Sequence, residues 1–263
     1  MTSGARGGVG AGPRGSLTPG LARLGIVVLL VLVWEVAARF GDRLFVAPPS
    51  AVVPALWTLA GNKGLLAALG SALWELVVAF VVATLLGASI GLLIGRSRIA
   101  GATVYPIALF LYSLPQAPLL PLFILAFGIG PASKIAFGIS HGIFPMIVTV
   151  AAGCRDVDLS LLKAARSMGA RRWQIVWSIV IPAATPSIFT GLRLAMSGVL
   201  LGVLLAELFV SQAGIGFYTH RFTDGFQPAN LFALIAMLAA LAVTLNEVCR
   251  LGENWFSRWR AGT

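Results

Sequence analysis

The chain has little of what a soluble protein uses to face water. Only 11% of its 263 residues are charged, whereas 58% are hydrophobic, and the mean hydropathy is +0.93. Soluble proteins average roughly 45–50% apolar residues, so a soluble fold of this composition would expose large apolar patches. The scarcity of charge therefore excludes an ordinary soluble domain and favours a lipid environment.

Motifs that carry chemistry are also scarce. The two cysteines, Cys154 and Cys249, form no C-x-x-C pair, so neither a disulfide framework nor a metal site is expected. A G-K-[ST] nucleotide loop and a G-x-S-x-G nucleophile elbow are both missing. Ser140 and His141 are chain neighbours rather than a nucleophile and base brought together. We therefore expect no enzyme activity, no catalytic residue, no metal and no cofactor in this chain.

Long apolar runs dominate instead, and a helix needs about 20 apolar residues to cross a bilayer. Six spans are predicted, at 21–40, 72–95, 101–127, 133–153, 175–209 and 231–251. Prolines interrupt the third span, and we expect Pro182 and Pro186 to divide the fifth into an interfacial piece and a span that begins near Ser187. The expected fold is all-α and polytopic, with about six transmembrane helices.

The flanking segments complete the predicted organisation. Residues 1–20 are rich in Gly, Ser, Pro and Arg, which predicts a disordered cytoplasmic tail; a cleaved signal peptide is the alternative. Residues 21–68 would hold the first span and a periplasmic loop, 69–252 the main transmembrane domain, and 253–263 a cytoplasmic C-terminal tail.

The basic residues set the orientation. The net charge of +10 comes without any nucleic-acid-binding signature, so no nucleic acid partner is expected. With the N-terminus inside, 13 Lys and Arg residues fall in cytoplasmic segments and five, including Lys134, in outer ones, while Arg193 alone lies within a span. This bias predicts a multi-pass membrane protein with both termini in the cytoplasm.

The longest predicted cytoplasmic loop, 154–174, has the pattern of a short amphipathic helix. Asp156 or Asp158 can cap its N-terminus, and Gly169 can end it in a left-handed conformation. Apolar residues recur at near-helical spacing and predict one apolar face, formed by Leu159, Leu162, Ala165 and Met168. A second, basic helix is predicted from Arg171 to Pro182. The first helix either lies in the lipid interface or docks a cytoplasmic partner.

The same loop resembles a family signature. Lys163-Ala164-Ala165 is followed by three residues and Gly169, and nine more lead to Ile179-Val180-Ile181-Pro182. This spacing is that of E-A-A-x3-G-x9-I-x-L-P, the signature of the inner-membrane permeases of binding-protein-dependent ABC importers. Lys163 replaces the family Glu, and Ile181 replaces the Leu. Segments 121–130, 190–193, 206–207 and 214–216 are similar to the nitrate, sulfonate and taurine branch.

The resemblance implies a type I ABC importer permease fold in a bacterial inner membrane. The implied partners are a second copy of the chain or a homologous permease, a cytoplasmic ATPase dimer that binds the ATP, and a periplasmic or lipid-anchored substrate-binding protein. The solute would be a small organic or inorganic anion, such as a sulfonate, taurine or nitrate, moved by alternating access. ATPase coupling would involve Asp158, Leu159, Leu162, Lys163, Ala164, Ala165, Arg166, Met168 and Gly169. The alternatives are a permease for a vitamin precursor or another non-anionic molecule, an ion-coupled secondary transporter, and a scaffold without transport.

Two residues of the fifth span are candidates for the translocation path. Arg193 and Glu207 are 14 residues apart, roughly 21 Å along a helix, and so cannot pair within it. Arg193 either faces the pore and attracts an anion, or pairs with a glutamate of another helix, such as Glu75 or Glu247.

Prolines and glycines mark two further sites. Pro115 and Pro118 predict a broken helix whose carbonyls line a cavity, or alternatively a simple kink. Gly214 and Gly216 predict a tight re-entrant turn near the outer gate. We expect Glu35 and Glu75 to have packing or interfacial roles.

Overall fold

The computed structural model describes residues 19–42, 44–210 and 214–258, which form helices joined by short turns. The expected all-α class is confirmed. A 3₁₀ turn at Ala117–Leu119 precedes α5, and a π-helical turn at Val176–Val180 precedes α9. The α-helices are α1 (Pro19–Phe40), α2 (Pro49–Ala60), α3 (Lys63–Arg96), α4 (Arg98–Ser113), α5 (Leu120–Phe127), α6 (Pro131–Arg155), α7 (Leu159–Ser167), α8 (Arg172–Ile175), α9 (Ile181–Val210), α10 (Ile215–Asp224) and α11 (Pro228–Arg258).

Each predicted span has a counterpart among these helices. Five continuous helical segments are long and apolar enough to cross a bilayer, namely α1, α3, α6, α11 and the run Arg172–Val210 that ends with α9. The sixth counterpart is the pair Arg98–Ser113 and Ala117–Phe127, whose two halves are bent by 89°. The third predicted span is therefore a broken one, with the break at the prolines.

The predicted division of the fifth span is wrong. Residues 172–210 are helical without a break, so the predicted second helix continues through Pro182 and Pro186 into the span. A proline lacks the amide that would donate within a helix, and local π adjustments accommodate this loss in spanning helices. The π-helical turn Val176–Val180 lies directly before Pro182 and has this role.

Helix α6 lies at the centre of the bundle, between α3 and α9. Gly87, Gly91 and Gly95 of α3 recur every four residues and face side chains of α6 that have the same spacing, Met146, Val150 and Cys154. A methyl group added at Gly91 would lie 2.8 Å from Cβ of Val150, and one added at Gly95 would lie 2.5 Å from Cβ of Cys154. Small residues thus allow α3 and α6 to approach closely, as small-xxx-small stripes do in membranes.

Helix α1 is peripheral, and nearly all of its apolar side chains are exposed. Its contacts with the rest of the chain are few and specific. Glu35, which pairs with Arg39 of the same helix at 2.7 Å, accepts a hydrogen bond from the Ser50 hydroxyl of α2 at 2.8 Å. The Trp34 ring lies 5.6 Å from that of Phe232 in α11.

The predicted tails fall mostly outside the described residues. Of the N-terminal tail 1–20, only the last two residues are described, and they begin α1. At the other end, α11 continues as far as Arg258, which is beyond the predicted end of the last span. Residues 259–263 of the predicted C-terminal tail are outside the described part.

Candidate functional site

The predicted loop helix is present as α7, and local residues define both of its ends. The Asp158 carboxylate accepts a hydrogen bond from the backbone N–H of Ser160 at 2.7 Å, which caps the helix. This bond, together with one from the Ser160 side chain, holds the pKa of Asp158 below its usual value. The carboxylate is thus kept ionised at the helix N-terminus, where negative charge is favourable.

Gly169 ends α7 in the way its sequence position predicts. Its φ is +78°, in the left-handed region. Its backbone N–H donates to the Arg166 carbonyl at 3.0 Å, and that of Ala170 donates to the Ala165 carbonyl, also at 3.0 Å. This pair of hydrogen bonds is the Schellman motif. The predicted capping at Asp158 and Gly169 is therefore confirmed.

The predicted single apolar face of α7 is wrong. Ala165 is only 3% exposed, and Leu162 packs beside it against a cluster that includes Cys154 and Ile175. Leu159 and Met168, in contrast, are 69% and 81% exposed. The four predicted residues therefore do not form one exposed face. Leu162 and Ala165 attach α7 to its own bundle, whereas Leu159 and Met168 remain exposed.

The outward side of α7 has a different apolar stripe. Leu161, Ala164 and Met168 are exposed and recur at spacings of three and four residues, which places them on one side of a helix. Lys163 and Arg166 are exposed as well. The surface that α7 offers to a partner is therefore apolar with basic neighbours.

At the opposite end of the bundle lies a buried ion cluster that the sequence did not predict. The Lys134 ammonium of α6 lies 2.7 Å from Glu207 of α9 and 3.3 Å from Glu75 of α3. Lys134 is 4%, Glu75 2% and Glu207 0% exposed. Lys134 is therefore not an outer-loop charge, and Glu207, which has no exposed surface, does not line a path in this structure.

The predicted glycine turn is attached to this cluster. The Gly216 backbone N–H donates to Oε2 of Glu207 at 3.2 Å. Gly214 has a φ of +129°, and a methyl group added there would lie 2.8 Å from the same oxygen. The start of α10 is thus held by Glu207, and the cluster joins four helices at this end.

Arg193 pairs with a glutamate, but with neither of the two considered from the sequence. Its guanidinium lies 3.4 Å from the Glu253 carboxylate of α11, and its side chain is 44% exposed. Glu247 instead pairs with Arg250 of the same helix at 2.6 Å.

A polar group lies at the break in the third span. Pro115 and Pro118 are exposed there, and between them Gln116 accepts a hydrogen bond from the Ser140 hydroxyl of α6 at 3.0 Å. His141, next in the chain, bonds to the Phe137 carbonyl at 3.0 Å. From the sequence, Ser140 and His141 are candidates only for a catalytic pair, which they do not form. A stronger signal is that polar residues in a span rarely face lipid.

The described chain thus combines a polytopic bundle, a broken span and a capped helix displayed beyond the end of the spans, the arrangement of a transport permease. Residues 83–260 match the family described as binding-protein-dependent transport system inner membrane component, and the chain belongs to this family. It is therefore a multi-pass permease component of a transport system in the inner membrane. Membership of a binding-protein-dependent family opposes both the ion-coupled transporter and the scaffold.

The individual relatives are also named as transport permease proteins. The chain is 32% identical to the taurine transport system permease protein TauC of Escherichia coli, over 89% of this chain and 87% of that one. It is 28% identical to SsuC of Bacillus subtilis, a permease protein named for aliphatic sulfonates transport, over 92% of this chain and 91% of that one. It is 25% identical to the formylaminopyrimidine transport permease protein ThiX of Halalkalibacterium halodurans, over 89% of this chain and 93% of that one.

A solved structure supports the fold. The chain aligns with a chain of the MetNI methionine ABC transporter in an inward-facing conformation, with a TM-score of 0.58 and 20% identity, over 75% of this chain and 98% of that one. The expected importer-permease fold is confirmed.

Proposed function

We propose that this chain is the membrane-spanning permease subunit of an ATP-driven importer for a small organic anion of the sulfonate type. It works as a pair with a second copy of itself or a homologous permease, on a cytoplasmic ATPase dimer that binds the ATP. A separate substrate-binding protein delivers the solute. Both termini and α7 lie in the cytoplasm, in agreement with the positive-inside bias.

The observation that carries the proposal is the exposed stripe of α7. Leu161 is 52% and Met168 81% exposed, although the neighbouring side of the helix, with Leu162 and Ala165, is packed into the bundle. A helix that is held along one side and exposes an apolar stripe beside it is suited to docking in a partner's groove. Force applied to α7 by the ATPase would pass through Leu162 and Ala165 to α6 and the π-helical turn, because these packed contacts belong to one cluster.

The docking test compares two exposed leucines of the same helical turn. Leu159 and Leu161 are two residues apart, which places them about 200° apart around the helix. A glutamate at either position lies in the first turn, where the helix dipole favours it. Substitution of Ala165 would be a poor test, since this side chain is buried in the chain's own core.

We expect Leu161→Glu to release the ATPase and to reduce ATP-dependent uptake about tenfold or more, as loss of an apolar anchor does at interfaces. Leu159→Glu is the matched control and should retain both. The measurements are co-purification of the ATPase and uptake by liposomes that hold the complex and its binding protein. Equal behaviour of the two variants would contradict docking through this stripe and favour a helix lying on lipid.

The solute class rests on the relatives named for taurine and aliphatic sulfonates. The relative named for formylaminopyrimidine supports a second candidate, a neutral vitamin precursor. The same liposomes distinguish the two: we expect ATP-dependent uptake of radiolabelled taurine. Uptake of a formylaminopyrimidine alone would establish the second candidate instead.

The broken span provides the best-supported path for the solute. Pro115 and Pro118 are exposed on the protomer, and the half-buried Gln116, Ser140 and His141 lie beside them. Polar side chains within a membrane normally face protein or water rather than lipid. This face would therefore be covered by the second permease copy and would line the path between the two.

A further inference from the structure

A cavity of about 640 Å³ lies between α7, the ends of α3 and α6, and the residues of α8 and the π-helical turn that precede α9. Three arginines line it: Arg96 of α3, Arg166 of α7 and Arg172 of α8. The remainder of its wall is apolar or small, and consists of Gly95, Cys154, Leu162, Ala170, Ile175, Val176 and Val180. The cavity thus combines a strongly basic part with an apolar part.

The three arginines have no counter-charge within the described part of the chain. Among the described residues that line the cavity, none is acidic. None of the three side chains takes part in an ion pair or a hydrogen bond among the residues that the structure describes. The guanidinium group is a planar fork of donors that matches phosphate and related oxyanions. Three such groups around one cavity favour an anion from outside the chain.

The position of the cavity indicates where that anion comes from. Trp173 and Trp177 lie on the same segment as the lining residues Arg172 and Val176, and are 59% and 67% exposed. Exposed tryptophans at the end of a span mark the headgroup level of a bilayer. The cavity therefore lies at the depth of lipid phosphates, and its apolar wall suits the upper part of an acyl chain.

We propose that this cavity binds the phosphate headgroup of an anionic phospholipid. Basic pockets between transmembrane helices on the cytoplasmic side have this chemistry. Because Leu162 and Arg166 of α7 line the same cavity as Arg96 of α3, the bound lipid braces α7 against the bundle. Lipid binding at this cavity rests on the cytoplasmic placement of α7 proposed above, and it is independent of the solute that is carried.

The test measures lipid binding to the complete complex with its ATPase in a neutral detergent. Arg96→Gln, Arg166→Gln and Arg172→Gln are combined in one variant. The control combines Arg98→Gln, Arg155→Gln and Arg171→Gln, three exposed arginines at the same end of the bundle that do not line the cavity. Both variants lose the same net charge. Native mass spectrometry then follows the titration with dioctanoyl phosphatidylglycerol and with dioctanoyl phosphatidylcholine.

We expect the cavity variant to bind phosphatidylglycerol at least about tenfold more weakly than the wild type, since each basic group near a lipid phosphate adds to the attraction. The control variant should bind as the wild type does, and phosphatidylcholine should bind weakly to all three. Melting temperatures that agree between the two variants would show that the loss is not due to unfolding.

Three results would overturn the proposal. Equal weakening in both variants would indicate general surface attraction. Displacement of the lipid by millimolar inorganic sulfate would indicate a free-anion site. Loss of the ATPase from the cavity variant, with phosphatidylglycerol binding unchanged, would show that acidic groups of the ATPase are the partners of these arginines.

Discussion

The two ends of the α3–α6–α9 bundle hold their positive charge in opposite ways. At one end, Lys134 is 4% exposed and lies between two buried carboxylates of the same chain. At the other end, Arg96, Arg166 and Arg172 line one cavity, and the residues that the structure describes in its wall include no acidic one.

The difference follows from burial. A charge that is removed from water is tolerable only beside a partner within the protein, so Lys134 requires Glu75 and Glu207. The arginines are exposed and can remain hydrated until a lipid or a partner protein supplies the counter-charge. At one end, the chain itself therefore neutralises the positive charge. At the end near α7, the positive charge is left to interact with other molecules.

The largest expected effect comes from removing the buried lysine of the ion cluster, Lys134. Lys134→Met would leave two buried carboxylates facing each other, and removing one partner of a buried ion pair costs about 3–5 kcal/mol. Lys63→Met, which replaces an exposed lysine at the same end, should have little effect. Thermal denaturation of the detergent-solubilised protein measures both.

A second variant excludes a simple packing defect at Lys134. Combining Lys134→Met with Glu75→Leu and Glu207→Gln removes all three charges, keeps an acceptor for the Gly216 N–H and should recover most of the lost stability, because uncharged replacements of buried ion clusters are often neutral. Equal melting of the Lys134→Met and Lys63→Met variants would show that the cluster does not hold this end.

A smaller effect separates Gly169 from Gly214, two of the glycines that have a positive φ. Gly169→Ala meets no atom within 4 Å and carries only the strain of its φ of +78°, about 1–2 kcal/mol. Gly214→Ala adds to such strain a contact of 2.8 Å with Glu207 Oε2, and overpacking costs about 1–3 kcal/mol more. Gly214→Ala should therefore melt at the lower temperature. The reverse order would contradict the account of the Glu207 cluster.

The smallest expected effect concerns Arg193. Its ion pair with Glu253 is half-exposed, so Arg193→Gln should change stability by less than about 1 kcal/mol. Arg250→Gln is the matched control, since Arg250 also pairs with a glutamate of α11. We expect equal uptake by the two variants. A loss of uptake confined to Arg193→Gln would instead place this residue on the solute path.

Local patterns predicted a large part of this structure. The six apolar runs, the cap at Asp158 and the left-handed turn at Gly169 depend on composition and short spacing, and each has its counterpart. The predicted split of the fifth span was wrong because a π-helical turn accommodates Pro182. Whether a helix takes up such a turn depends on packing that a proline alone does not reveal.

The candidate sites show the same difference between features set by local sequence and features set by packing. The position of α7 followed from its sequence, but its outward side did not, since Ala165 faces the core only because the neighbouring cluster lies there. Gln116 and Ser140 are 24 residues apart and meet only because the third span is bent.

By itself, the sequence determined that this chain resides in a membrane, crosses it about six times and displays a short helix beyond the spans. Hydropathy, charge bias and capping are properties of neighbouring residues, so they can be read along the chain. Only the tertiary structure decided the partners of its charges: Lys134 meets glutamates 59 and 73 positions away, whereas Arg96, Arg166 and Arg172 pair with no carboxylate among the described residues. Pairing between distant residues is set by how the helices cross, and the spacing of residues along one helix does not contain that information.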